Sequence, residues 1–118
     1  MTGKGTLFSA VDYGGRTVSL DEDTYSNHIC SGHPEMGKNV QAIENAVVNP
    51  EVVYESVQGP HREVFFSRVP ESTYPKLYTK VVVDYSSASG GVVKSSWFEK
   101  GITGVKDGGL KHVRAKTR

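Results

Sequence analysis

The stretch HICSGHPEM, residues 28–36, gathers two histidines, the chain's single cysteine, a proline and a glutamate into nine positions. His28, Cys30 and His33 are all zinc-ligand types. On a helix, however, His28 and Cys30 are two positions apart and point about 200° away from each other. His61 and His112 stand alone, so no second Cys/His pair completes a four-ligand set. Neither a metal nor another cofactor is expected. Proton chemistry fits better. His33 falls where a helix should begin, just before Pro34. Free N–H groups at a helix start attract a phosphate, and the dipole there favours a neutral imidazole. A neutral imidazole beside a phosphate suits a general base, and Glu35 can orient the ring or simply complement the dipole. Plain structural roles compete with this. His28 can bond carbonyls at a helix end, Cys30 can be a small buried residue, and His33 can be a cap and nothing more.

The surrounding pattern states which elements would position these groups. LDEDTYSNHI predicts a helix over 22–30. Asp21 can cap it, Glu22 and Asp23 suit its first turn, and Leu20 and Tyr25 occupy staple positions. Met36, Val40, Ile43 and Val47 recur at helical spacing and predict a second helix over 35–48, with Pro34 in its first turn and Pro50 beyond its end. Ahead of both, TLFSAVDYGGRTVSL reads as a hairpin turning at Gly14-Gly15. Behind them, EVVYES, HREVFFSRV, LYTKVVVDY and GVVKSSWFE read as four strands, separated by loops at Gly59-Pro60, Pro70, Pro75 and Gly90-Gly91. Short connections favour antiparallel pairing. The expected fold is α+β: an N-terminal hairpin and two helices packed on a four-stranded, mainly antiparallel sheet. The helical stripe should face Val81, Val83 and either Phe65 or Phe66.

A chain of 118 residues, 36% apolar and 23% charged, fits one globular domain. No apolar run approaches the roughly 18 residues of a membrane span, and MTGKGTLFSA lacks the apolar core of a secretory signal. A lone cysteine forms no internal disulfide. A soluble, cytoplasmic protein without a membrane partner is expected. Charge is unevenly spread. Residues 100–118 carry Lys100, Lys106, Lys111, Arg114, Lys116 and Arg118 against Asp107, a net of +5, which leaves −4 on residues 1–99. We therefore divide the chain into a domain over 1–99 and a basic segment over 100–118. That segment can dock on phosphates or on its own domain, or remain a solvated tail.

The order of these features resembles the phage-type members of the barnase–EndoU–colicin–RelE nuclease superfamily. The resemblance rests on GGRTVSL, a short helix ending His28-Ile29, HPEM at 33–36, NPEVVYES at 49–56 and GVVKSSWF at 91–98. It implies a metal-independent ribonuclease in which the ribose 2′-hydroxyl attacks its own phosphodiester. His33 matches the motif histidine, His28 the His-Ile position, and Ser95 approximately the late-strand hydroxyl. Two positions depart from the family pattern. Gly32 stands where the family has an arginine that clamps phosphate, and Ser95-Ser96 replaces Thr-Ala. By residue type, Lys80, Arg62 and Lys94 are the substitute cations, although solvated strand charges are the commoner role for Arg62 and Lys94; Trp97 and Phe98 can stack bases, although core packing is the commoner role for such residues. The resemblance thus implies His33 and Ser95 as catalytic residues; residue type and placement add Lys80 to them, with Arg62, Lys94 and Glu35 as the expected phosphate-binding residues. The partner would be RNA, tRNA being one structured candidate, with an immunity or antitoxin protein as a further one. Two other classes stand beside it: an inactive RNA- or protein-binding domain of the same fold, and a structural piece of a larger phage particle protein.

Overall fold

A computed structural model of the chain describes residues 5–69 and 77–114. Pro70 and Pro75, expected in a loop, and Lys116 and Arg118 of the basic segment lie outside the described residues. Seven strands form one sheet: β1 (Thr6–Val11), β2 (Thr17–Asp21), β3 (Val52–Ser56), β4 (Gly59–Arg68), β5 (Tyr78–Ser87), β6 (Gly90–Glu99) and β7 (Val105–Val113), in the order β1-β2-β6-β5-β4-β3-β7. All neighbours are antiparallel except β2 and β6, which run parallel over Val18↔Gly91 and Ser19↔Val92. At that junction Gly90 is required, because a Cβ there would sit 2.4 Å from the Thr17 carbonyl oxygen.

This corrects the α+β expectation of two helices on a four-stranded sheet. The protein is mostly β, with a seven-stranded mixed sheet and only short helices. The strands expected over 51–98 are present as β3 to β6, but two additions were not foreseen. The N-terminal hairpin joins the sheet through the parallel β2–β6 pairing. Residues 105–113, inside the basic segment, form β7 on the outer edge of β3. VKDGGLKHV carries two glycines, an aspartate and little apolar alternation, so its strand character rests on backbone pairing to β3 rather than on its own pattern.

The helical region also differs in detail. Residues 22–32 form one winding segment, α1, with a π-helical turn at Tyr25–Ile29. The helix expected over 35–48 is two pieces: a 3₁₀ turn, Pro34–Lys38, and a nine-residue helix α2, Val40–Val48. They separate at Asn39, whose φ of −126° is not helical. Gly37 and Asn39, both weak helix formers, account for the break. Met36, Ile43, Ala46 and Val47 are fully buried against Val53, Phe65, Val81, Val83 and Val93. This is the main core, and it lies on one face of the sheet. The opposite face carries a smaller cluster of Val64, Phe66 and Val82, packed by the strand residues Val52, Tyr54, Tyr78 and Val105.

A polar latch closes one end of the main core. In the β1–β2 turn, Asp12 accepts from the backbone N–H groups of Gly14 and Arg16, at 2.8 and 2.9 Å, and pairs with the Arg16 guanidinium at 3.0 Å. Arg16 also reaches Glu63 at 2.9 Å and lies 3.8 Å over the Tyr85 ring. Tyr13 donates to Glu63 at 2.7 Å, and Tyr85 donates to Asp12. The Tyr13 ring stacks on His112 of β7 at 4.7 Å. β1 and β7 are opposite edges of the sheet, so this contact requires the sheet to curl around α2. Burial and the bond to Glu63 push the Tyr13 hydroxyl up to about 12, and burial and the bond to Asp12 push Tyr85 up as well.

Candidate functional site

The open face of the sheet and the side of α1 enclose a cleft of about 630 Å³. Asp23, Thr24, Asn27 and His28 line it from α1. These positions share one side of the helix, while Tyr25 and Ile29 turn inward to the core. Gln58 and Arg62 come from the β3–β4 hairpin, Val82 from β5, and Lys94, Ser95 and Trp97 from β6.

A bulge in β6 makes this lining possible. Val82 pairs with Ser95 and Val83 with Val93, which leaves Lys94 as an extra residue. The extra residue reverses the strand's alternation. Ser96 is buried on the core side, where its hydroxyl donates to the Lys80 carbonyl at 2.8 Å, and Ser95 and Trp97 turn to the open face. Regular alternation from Val93 would have put Trp97 in the core.

The cleft's cations are only partly committed. Arg62 donates through Nε to Asp84 at 3.0 Å and through Nη1 to the Gln58 carbonyl oxygen at 3.0 Å, two of the five donors a guanidinium offers. Hydrogen bonds from Ser86, together with Arg62, hold the Asp84 carboxyl down at about 2, so the pair is ionic throughout the physiological range. Lys94 is exposed and has no ion-pair partner among the described residues. The site therefore offers positive charge, an imidazole, a hydroxyl and an indole on one surface. That combination can hold a phosphodiester, neutralise developing charge and move a proton.

Of the residues singled out from sequence, Arg62, Lys94 and Ser95 line the cleft. So does His28, which the sequence left open between a structural role and the family's His-Ile position. His33 lies beside the cleft, its ring stacked on Trp97 at 4.8 Å and its Nδ1 3.8 Å from Glu35. It precedes a five-residue 3₁₀ turn, not an α-helix, so the dipole argument for a phosphate at its position is withdrawn. Lys80 is buried in an adjoining cavity of about 120 Å³ that shares Gln58, Val82 and Trp97 with the cleft. Its ammonium group is 4.6 Å from the Trp97 ring centre and donates to Thr103 at 3.1 Å; the Thr103 hydroxyl in turn donates to Glu99 at 2.6 Å. Burial pulls the Lys80 pKa below the usual lysine range, and Glu99 opposes that pull. Gly104 lies against this ammonium, since a Cβ there would be 2.9 Å from Nζ. Phe98 packs on the main core, away from Trp97.

Asn27 and Gln58 were not singled out from sequence. The polar run Asp23, Asn27, His28 beside the apolar pair Tyr25 and Ile29 was the available signal for the first. Nothing local marked Gln58. Among the described residues no three of His, Cys, Asp and Glu converge as metal ligands, and no helix is long and apolar enough to cross a membrane. No family model, curated protein or solved structure matches the chain.

Proposed function

We propose that the chain cleaves RNA, without a metal ion, by attack of a ribose 2′-hydroxyl on the adjacent phosphorus. The observation that carries this reading is the convergence of His28, Arg62, Lys94 and Ser95 from α1, β4 and β6 on one open cleft. Arg62 and Lys94 hold the phosphate, taking the part of the arginine that Gly32 replaces. Ser95 donates to a non-bridging oxygen. One imidazole takes the 2′-hydroxyl proton as the 2′-oxygen bonds to phosphorus. The bond to the 5′-oxygen breaks, and that oxygen receives a proton from a second acid. His28, within the cleft, and His33, stacked on Trp97, are the two imidazoles assigned to these steps. The products are a 2′,3′-cyclic phosphate and a free 5′-hydroxyl. RNA in the cytoplasm, with tRNA a structured candidate, is the substrate on this reading, and a neutralising protein would have to cover the same cleft.

The test is incubation of the pure protein with RNA in excess chelator, followed by end-group analysis. Cyclic or 3′-phosphate ends are expected. Intact RNA, or 5′-phosphate ends, would refute the mechanism. One residue favours a second reading, an inactive RNA- or protein-binding domain: Gly32 in place of the clamp. Nothing lies within 4 Å of a Cβ built at Gly32, so Gly32→Arg is sterically accommodated. If the protein binds RNA intact, and Gly32→Arg then cuts it, the second reading holds.

A further inference from the structure

Arg62 and Lys94 bring the same charge to the cleft in different ways. Lys94 has no ion-pair partner among the described residues. Arg62 is held. It stands directly across from Asp84 in the antiparallel β4–β5 pair. Strand alternation puts both on the face of Val64 and Val82, the open one. Asp84 divides its oxygens. Oδ1 accepts from the Ser86 backbone N–H at 2.8 Å and from the Ser86 hydroxyl, and Oδ2 accepts from Arg62 Nε at 3.0 Å. The carboxylate is thus fixed by its own turn as well as by the guanidinium. Gln58 takes one Nη1 proton at 3.0 Å. Three of the five guanidinium protons remain, and each Nη nitrogen keeps at least one, enough for a two-point grip on a phosphate. Stability does not explain the arrangement: the Arg62 side chain is 33% exposed, and ion pairs that open to solvent contribute little. By its charge alone, a carboxylate beside this cleft works against binding an anion.

We infer that Asp84 is a positioning residue for the cleft: it holds the Arg62 guanidinium as a fixed fork for the phosphate, while Lys94 supplies charge without a fixed geometry. The inference rests on reading the cleft as a phosphodiester site. A free arginine gives up side-chain entropy when it grips a ligand, and a fork already in place gives up less. Charge and positioning therefore predict opposite signs. If Asp84 acts by charge alone, it partly neutralises Arg62, and removing it makes Arg62 the stronger phosphate ligand. If Asp84 positions Arg62, removing it makes Arg62 the weaker one. Asp84→Asn separates the two. The side chain keeps its size, but one oxygen becomes an NH₂ group that meets either the Arg62 Nε–H or the Ser86 N–H donor to donor.

The probe is a mixed-sequence RNA oligomer with 2′-O-methyl groups throughout, which lacks the attacking hydroxyl. Its affinity is measured at one low salt concentration for the parent, Arg62→Met, Asp84→Asn and the double variant. In the parent, Arg62→Met should weaken binding roughly tenfold, the scale of a hydrogen bond to a charged group. In the Asp84→Asn background the same change should cost about twofold or less, because the fork is no longer held. Asp84→Ala, which removes the side chain outright, should reproduce that shrinkage. With cleavable RNA, the saturating single-turnover rate of Asp84→Asn should fall by about tenfold or more, the scale on which misplaced groups slow a reaction. An Arg62→Met loss that stays the same or grows when Asp84 is replaced overturns the inference, as does a parent protein that binds no RNA. Failure of the cleavage reading is separable. A shrinking Arg62 contribution in a protein that leaves RNA intact supports the positioning and sinks the mechanism, whereas RNA cut by a protein whose Arg62 contribution ignores Asp84 sinks the positioning alone.

Discussion

Two polar clusters sit on opposite faces of the same sheet, and they differ in what is left over. In the latch, Asp12, Arg16, Glu63, Tyr13 and Tyr85 satisfy one another: the Asp12 side chain is fully buried and accepts from two backbone groups, Arg16 and Tyr85. In the cleft, Arg62 uses part of its guanidinium, and Lys94, Ser95 and His28 line open space. A buried network whose members are all paired is an architectural device, since removing any member leaves a desolvated partner. A surface with charge to spare is a binding device, because its remaining donors wait for a ligand. Both clusters mix acids, bases and aromatics, so residue type does not separate them; pairing does.

Substitutions at the two arginines should give opposite outcomes. Arg62→Met removes a phosphate donor and should lower RNA cleavage by about 10²–10³, the usual cost of losing one such electrostatic contact. Asp84 keeps its bonds from Ser86, so thermal unfolding should shift little. Arg16→Met leaves Asp12 and Glu63 as uncompensated buried charges. It should cost about 3 kcal/mol, the low end for a broken buried pair because Arg16 is partly exposed. That is a fall in Tm on the order of 10 °C, with cleavage per folded molecule unchanged.

Smaller effects sharpen the same contrast. Tyr13→Phe removes a hydrogen bond to a carboxylate and should cost about 1.5 kcal/mol. It should also alter the alkaline limb of stability. The Tyr13 hydroxyl is raised from 10.0 to about 12 in the folded protein, so its contribution is complete below pH 10 and is lost as pH rises from 10 through 12. Denaturant titrations across that range should show a shallower decline in Tyr13→Phe than in the parent. Lys94→Met, on the cleft side, should leave stability unchanged and weaken RNA binding severalfold at low salt. It should reduce the slope of log affinity against log salt by about one.

The sequence was legible where pattern and face coincide. The stripe Met36, Ile43, Val47 and the alternation through Val81 and Val83 both point to the main core, and those residues are buried there. It was illegible where backbone pairing alone decides. β7 has exposed Leu110 and Val113 and two internal glycines, and only its hydrogen bonds to β3 make it a strand. The parallel β2–β6 contact is two residue pairs long, too short to leave a pattern. For the site, Arg62, Lys94 and Ser95 were recoverable as residue types, but their common face depends on the Lys94 bulge, which no alternation rule signals. His33 does stand at a helix start, but the helix is a five-residue 3₁₀ turn rather than the long α-helix expected, because the helical stripe runs through Gly37 and Asn39 without showing the break. His28 reached the cleft through a π turn, which shifts side-chain directions relative to regular α spacing.

The central claim is that proton transfer in the open cleft cuts RNA. The most direct measurement is the single-turnover cleavage rate of His28→Ala in chelator, beside a thermal melt of the same sample. His28 is exposed, so the melt should match the parent, and the rate should fall by about 10²–10⁴, the range for loss of a general acid or base. A His28→Ala protein that melts normally and cuts RNA at the parent rate would contradict the account.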